Sequence, residues 1–204
     1  MKRNIDYSKN CSVLNKYLHY VLNVKNFSSL TAYEYCLDLN NFFSFIRKYK
    51  EIEVEERDFT VFIVANIKKE DIIAYLIYLN AEKHLTSTTR NRRLASIKSF
   101  YNWLSKYSHY KNVIEHNPSQ NIEKPAKVQK NPKHLNKLEC NKVLGIFSKE
   151  NSRNYLRDNT IIALFLHTGI RLSELTNMNI EDCNLINQQA IVKRQRQQRK
   201  KNLF

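Results

Sequence analysis

Glycine occurs only twice and proline only three times in 204 residues. So few chain breakers leave little room for the many tight turns of an all-β chain and favour long helices. No apolar run approaches the roughly 20 residues that cross a bilayer as a helix. The opening Met1-Lys2-Arg3-Asn4-Ile5-Asp6 has no apolar stretch behind it. Neither a membrane span nor a secretory leader is therefore expected. The four cysteines, Cys11, Cys36, Cys140 and Cys183, lie far apart without metal-ligand spacing. They read as reduced thiols of a cytoplasmic protein, and no metal site is expected.

Acidic residues are also scarce: 19 Asp and Glu face 34 Lys and Arg, for a net charge of +15. That balance implies a polyanionic partner, and composition alone does not choose between nucleic acid and a membrane surface. Six of the basic residues fall in the last twelve positions (Lys193, Arg194, Arg196, Arg199, Lys200, Lys201). The remainder is still net positive, so the basic character is distributed. The length fits one compact domain or two smaller ones.

Helical spacing dominates what is present. Val13, Leu14, Tyr17, Leu18, Val21 and Leu22 predict a helix over about 8–25. Ser28 or Thr31 can cap a second, with Leu30, Tyr33, Leu37, Leu39, Phe42, Phe43 and Ile46 on its apolar side. Thr60-Val61-Phe62-Ile63-Val64 is β-prone, though short enough to be an apolar loop. A third helix is expected over about 69–82 with Ile72, Ile73, Leu76 and Leu79 inward. The fourth, capped by Thr86, Ser87 or Thr88 and running to about Tyr107, carries Leu94, Ile97, Tyr101 and Leu104 on one face.

The other face of that fourth helix is expected to present Arg92, Ser96 and Ser99. Residues 83–111 hold seven Lys or Arg and no Asp or Glu. Small hydroxyls beside arginine let a helix approach a phosphate backbone, with charge and hydrogen bonds both on offer. The same pattern also describes a solvated basic face on a core helix. Trp103 fits either a base-stacking or a core role. Asn117-Pro118-Ser119 through Pro125 then reads as a linker, studded with Lys124, Lys127, Lys130 and Lys133. Helices over about 136–147 and 153–167 follow.

The second of these ends in Ile161-Ile162-Ala163-Leu164-Phe165-Leu166, an apolar run that reads as buried, and then reaches Gly169. A glycine just past an apolar helix is a C-terminal stop, because it takes the left-handed conformation without a Cβ penalty. Arg171 opens the turn that follows, with Leu172 and Leu175 spaced for one buried side.

Thr168-Gly169-Ile170-Arg171, then Ser173-Glu174-Leu175, resembles the first active-site box of the tyrosine recombinases, the phage integrase family. The stretch from Thr88-Thr89-Arg90-Asn91-Arg92-Arg93-Leu94 through Leu104 resembles that family's core-binding domain. The resemblance runs in order over nearly the whole chain. It implies a mainly α fold: a helical, SAM-like core-binding domain over 1–116, a basic linker over 117–134, and the N-terminal part of the mixed α/β catalytic domain over 135–204. It implies double-stranded DNA as partner, with Arg90, Arg92, Arg93, Ser96, Lys98, Ser99, Lys124 and Lys127 as candidate contacts, and no cofactor. Family members work as tetramers on DNA, so a homo-oligomer is expected there.

The chemistry so implied is attack of a tyrosine on a DNA phosphodiester to give a 3′-phosphotyrosine. Two arginines clamp the non-bridging oxygens, because a planar guanidinium offers paired hydrogen bonds and stays charged. Arg171 matches the first, and Glu174 sits at helical spacing to orient it. The later parts, a hairpin lysine, a His-x-x-Arg box and the tyrosine, find no match: the last tyrosine is Tyr155 and no histidine follows His167. These residues alone are expected not to cleave DNA.

Where the family reads Gly-Lys-Gly-Asn-Lys-Glu-Arg after Ala190-Ile191-Val192, this chain runs from Lys193 to Phe204 without a glycine. Written in A-rich codons and read in the shifted phase, that tail becomes Gly-Lys-Gly-Asn-Lys-Glu-Arg-Lys-Ile-Tyr. The family's lysine would fall where Gln195 stands. A single-base frameshift near codon 193 is therefore expected, beside the alternative of a native basic tail. An incomplete catalytic domain should also expose apolar surface. Two readings of another class stay open: a non-catalytic module that occupies recombination sites, and an inert pseudogene product.

Overall fold

The computed structural model describes residues 4–106, 110, 112–114, 116–126, 131–146, 153–184, 186–194 and 197–202, with backbone alone for 193–194 and 197–202. It divides into two units, Met1–Gln129 and Lys130–Phe204.

The first unit is helical among its described residues: α1 (Ser12–Asn23), α2 (Ser29–Tyr49), α3 (Val61–Ala65), α4 (Lys69–Ala81) and α5 (Ser87–Lys106). Capping chemistry sets the starts. The Ser28 hydroxyl accepts from the Thr31 N–H at 3.1 Å, and the Thr86 hydroxyl accepts from the Thr89 N–H at 3.4 Å. Each satisfies an amide that the first helical turn leaves without an internal partner. Val13, Leu14, Tyr17, Leu18 and Val21 of α1 are all buried, as their spacing predicts. They meet Leu39, Phe42, Phe43 and Ile46 of α2, Ile72 and Leu79 of α4, and Ile97, Phe100 and Leu104 of α5 in one core. Phe100 is its hub, edge-on to Tyr17 at 5.3 Å and to Phe43 at 5.8 Å. Each large side chain buried this way contributes about 1.5–3 kcal/mol.

Three expectations are corrected here. The β-prone Thr60–Val64 stretch is the short helix α3, because Thr60 caps it, accepting from the Ile63 N–H at 3.4 Å. Val64 is buried there, and its carbonyl accepts from the Tyr101 hydroxyl at 3.1 Å. Ile73 is exposed, and Tyr75 takes the inward place on α4. Leu30 and Leu37 are exposed because, at about 100° per residue, they stand roughly opposite Leu39 on α2.

The second unit contains α6 (Lys137–Leu144), α7 (Tyr155–Thr168), α8 (Leu172–Thr176) and a three-stranded antiparallel sheet, β1 (Cys183–Asn184), β2 (Gln189–Arg194) and β3 (Gln197–Asn202), in the order β1-β2-β3. A reciprocal cap starts α6: Asn136 Oδ1 accepts from the Glu139 N–H at 2.9 Å, and Glu139 Oε2 accepts from the Asn136 N–H at 2.7 Å. The tail from Lys193 pairs as a hairpin, with Ala190 opposite Lys201 and Arg194 opposite Gln197. Gln195, expected at the family's lysine position, lies outside the described residues.

The Ile161–Leu166 run is half-buried throughout, and no residue of α7 is fully buried. An apolar helical stripe is buried only where another layer covers it. Among the described residues, the buried hydrophobic side chains of this unit are Ile170, Ala190 and Val192, whereas Leu138, Leu156, Ile180 and Ile186 stand in solvent. The Ile161–Leu166 run, expected to be buried, is thus corrected to half-buried. Among the described residues no helix is long and apolar enough to cross a membrane.

Candidate nucleic-acid interface and arginine box

The predicted apolar stripe of α5 is buried, but burial extends around about half of the helix, because α1, α2 and α4 all pack against it. Ser96, Phe100 and Trp103 are buried together with Leu94, Ile97, Tyr101 and Leu104. Ser96 is therefore not on an open face. Its hydroxyl donates to the carboxylate of Asp38 on α2 at 2.7 Å. Ser99 is half-buried and accepts from the Tyr17 hydroxyl of α1 at 2.8 Å. Trp103 takes the core reading, tilted against Tyr17 at 5.5 Å.

The arginines of this helix have separate environments. Arg92 Nη1 donates to Asp38 Oδ2 at 2.6 Å and lies 3.5 Å from Glu34, with 45% of its side chain exposed. Arg93 turns inward, donating from Nη1 to the Tyr75 hydroxyl at 3.2 Å. Arg90 is half-buried. Asp38 is the residue that sequence reasoning missed. Its side chain is 1% exposed, and burial pushes its carboxyl above the usual carboxylate range although Ser96 and Arg92 pull it down. A charged residue one step before the buried Leu39 was the available signal.

The segment expected to begin a linker lies along one edge of the remaining side of α5, and Arg92, Ala95 and Asn102 stay exposed. Asn117 Nδ2 donates to Asn102 Oδ1 at 2.8 Å, Lys98 Nζ to the Ile122 carbonyl at 2.7 Å, and Asn91 Nδ2 to the Pro125 carbonyl at 2.8 Å. The segment thus runs antiparallel to α5, with Asn117, Pro118, Ser119 and Ile122 buried. The expected linker start at 117 is corrected: an apolar anchor and three side-chain donors or acceptors build this strap into the first unit to Pro125. Lys98 serves it directly. Lys124 is exposed on the strap, and Lys127 lies outside the described residues.

In the second unit, α7 ends where Gly169 takes φ +57°, and the Gly169 N–H donates to the Phe165 carbonyl at 3.0 Å. The Thr168 hydroxyl then accepts from the Ile170 N–H at 3.1 Å, and Ile170 is buried. This reversal sets Arg171 at the N-cap of α8. Glu174 Oε2 accepts from the Arg171 N–H at 2.9 Å, and Glu174 Oε1 accepts from Arg171 Nη1 at 3.2 Å. The Arg171 side chain is 65% exposed while that of Glu174 is 5% exposed. Leu172, expected on the buried side, is exposed, because the carboxylate of Glu174 occupies the inward position of this one-turn helix. The result is an oriented guanidinium at a surface, suited to an anionic oxygen pair.

The phage integrase N-terminal SAM-like domain matches residues 14–107. The tyrosine recombinase XerC of Caldanaerobacter subterraneus subsp. tengcongensis is 33% identical over 180 residues, covering 83% of this chain and 49% of that protein. The tyrosine recombinase XerD of Oceanobacillus iheyensis is 26% identical over 170 residues, covering 83% and 52%. The chain spans about half the length of the curated relatives it matches. Among solved structures, the Tn1549 transposon integrase in complex with transposon right end DNA is similar with a TM-score of 0.62 at 18% identity, covering 93% of this chain and 60% of that one. The XerH recombinase bound to difH substrate gives 0.58 at 21%, covering 93% and 53%. With the SAM-like domain match over 14–107 and recombinase relatives matching 83% of its length, the chain belongs to the tyrosine recombinase, or phage integrase, family.

Proposed function

We propose that these 204 residues bind duplex DNA through the first unit and contribute one phosphate-clamping arginine, Arg171, to a site for DNA recombination or integration. The observation that carries this reading is the Arg171–Glu174 pair, a solvent-facing guanidinium held by a buried carboxylate inside the family's box. The basic, acid-free 83–111 segment and the net charge of +15 support a polyanionic partner. The structural neighbours are DNA complexes, which supports duplex DNA as the partner. Cytoplasmic residence and assembly of several copies on DNA accompany this reading.

The test is fluorescence anisotropy of a labelled mixed-sequence duplex over a salt series, followed by denaturing electrophoresis. Binding that weakens steeply with salt, without a covalent protein–DNA adduct, is the expected result. Salt-insensitive or undetectable binding would sink the reading and leave the inert product.

A further inference from the structure

The geometry points to Asp38 as a positioning residue for DNA, one that holds the Arg92 guanidinium at the surface of the first unit in readiness for a phosphate. This rests on the reading of α5 as a DNA-facing helix. Asp38 is anchored on α2 with its side chain 1% exposed, and Arg92 reaches it from α5, 54 residues later. Burying a carboxylate is unfavourable, and a packed apolar side chain at such a place is often as stable or more so. Stability therefore gives a poor account of an aspartate here, and burial does push its carboxyl upward.

What an apolar side chain could not do is sort two consecutive arginines. Asp38 Oδ2 takes Arg92 Nη1 at 2.6 Å, while Oδ1 lies 3.9 Å from Arg93 Nε. Arg93, 20% exposed, is turned in to Tyr75, whereas Arg92 is left 45% exposed. The Ser96 hydroxyl donates to the same Oδ2 at 2.7 Å, a second tether on the carboxylate from α5. Glu34, one turn before Asp38, meets the same Nη1 at 3.5 Å. A guanidinium carries five N–H donors in a planar fork, so engaging one nitrogen leaves donors for an anion. An arginine ordered on folding gives up less rotamer freedom on binding, which is the advantage of preorganisation.

The test uses the full chain, a labelled mixed-sequence duplex, and affinity measured over a salt series for wild type, Arg92→Ala, Asp38→Asn and the double variant. Losing one phosphate contact lowers the slope of log affinity against log salt by about one. Arg92→Ala should do so. Asp38→Asn should weaken binding about five- to tenfold with the same fall in slope, and the double variant should match Arg92→Ala, as expected for residues acting as a unit. If Asp38→Asn does not fold, Asp38→Leu replaces it with the same expected result. An unchanged slope makes Asp38 merely structural and overturns the proposal. A steeper slope with tighter binding overturns it too, since Asp38 would then only neutralise Arg92. Failure of the underlying reading is distinct: wild type shows no salt-dependent binding, or Arg92→Ala binds like wild type.

Discussion

Glu174 grips Arg171 at both ends, accepting from its backbone N–H at 2.9 Å and from its guanidinium at 3.2 Å. One buried carboxylate thus caps α8 and aims the arginine. Glu174→Ala should loosen this turn by about 1 kcal/mol, the size of a lost helix cap. Glu174→Gln, which keeps an acceptor oxygen, should lose less than half as much. Hydrogen exchange of the α8 amides measures both; equal rates in the two variants would argue that the cap is idle.

Gly169 makes the reversal that places Arg171. A Cβ built there meets nothing within 4 Å, so Gly169→Ala carries only the conformational penalty of φ +57°. That penalty is about 1–2 kcal/mol for an L residue in the left-handed region. Gly169→Asn should be milder, because asparagine tolerates that region. Thermal melting followed by helical circular dichroism ranks the three, and an alanine variant as stable as wild type would contradict the assignment.

Asp38 should give the first unit a pH dependence. Its carboxyl is pushed up by burial, with Ser96 and then Arg92 opposing, so the folded chain holds this proton more tightly than the unfolded chain. The stabilising contribution is fully present below the unfolded value of 3.8 and is lost as pH rises through the higher folded value. Melting of wild type and Asp38→Asn over about pH 3 to 7 should therefore show the wild type losing ground to the variant as pH rises. A difference that moves the other way would mean that Arg92 outweighs burial.

The strap along α5 predicts that Asn117 matters more than a linker residue would. Its Oδ1 accepts from both the N–H and the hydroxyl of buried Ser119, while its Nδ2 holds Asn102. Asn117→Ala strands those donors and should destabilise the first unit by about 1–3 kcal/mol. Chemical denaturation checks this, and a change within error would return 117–125 to the status of a tether.

The gene offers a separate test. Read in the alternative phase from about codon 193, it is expected to encode Gly-Lys-Gly-Asn-Lys-Glu-Arg and then, downstream, a His-x-x-Arg box and a tyrosine. A confirmed frame with nothing of the kind beyond it would make the Lys193–Phe204 tail native.

Much of this protein is determined by neighbours in sequence, and so could be read without coordinates. A hydroxyl at Ser28 or Thr86 lies three residues from the amide it satisfies, and Gly169 stops α7 through its own backbone freedom. The Thr168–Leu175 box was legible for the same reason: Arg171 and Glu174 are three residues apart on one turn. What only the tertiary structure decided depends on partners distant in the chain. Ser96 and Ser99 look like an open polar face until Asp38 and Tyr17 arrive from α2 and α1. Lys98 looks like a DNA contact until the Ile122 carbonyl reaches it, and a backbone carbonyl leaves no mark in a sequence. The period of a helix says which residues share a side; it does not say how many sides the rest of the chain will cover.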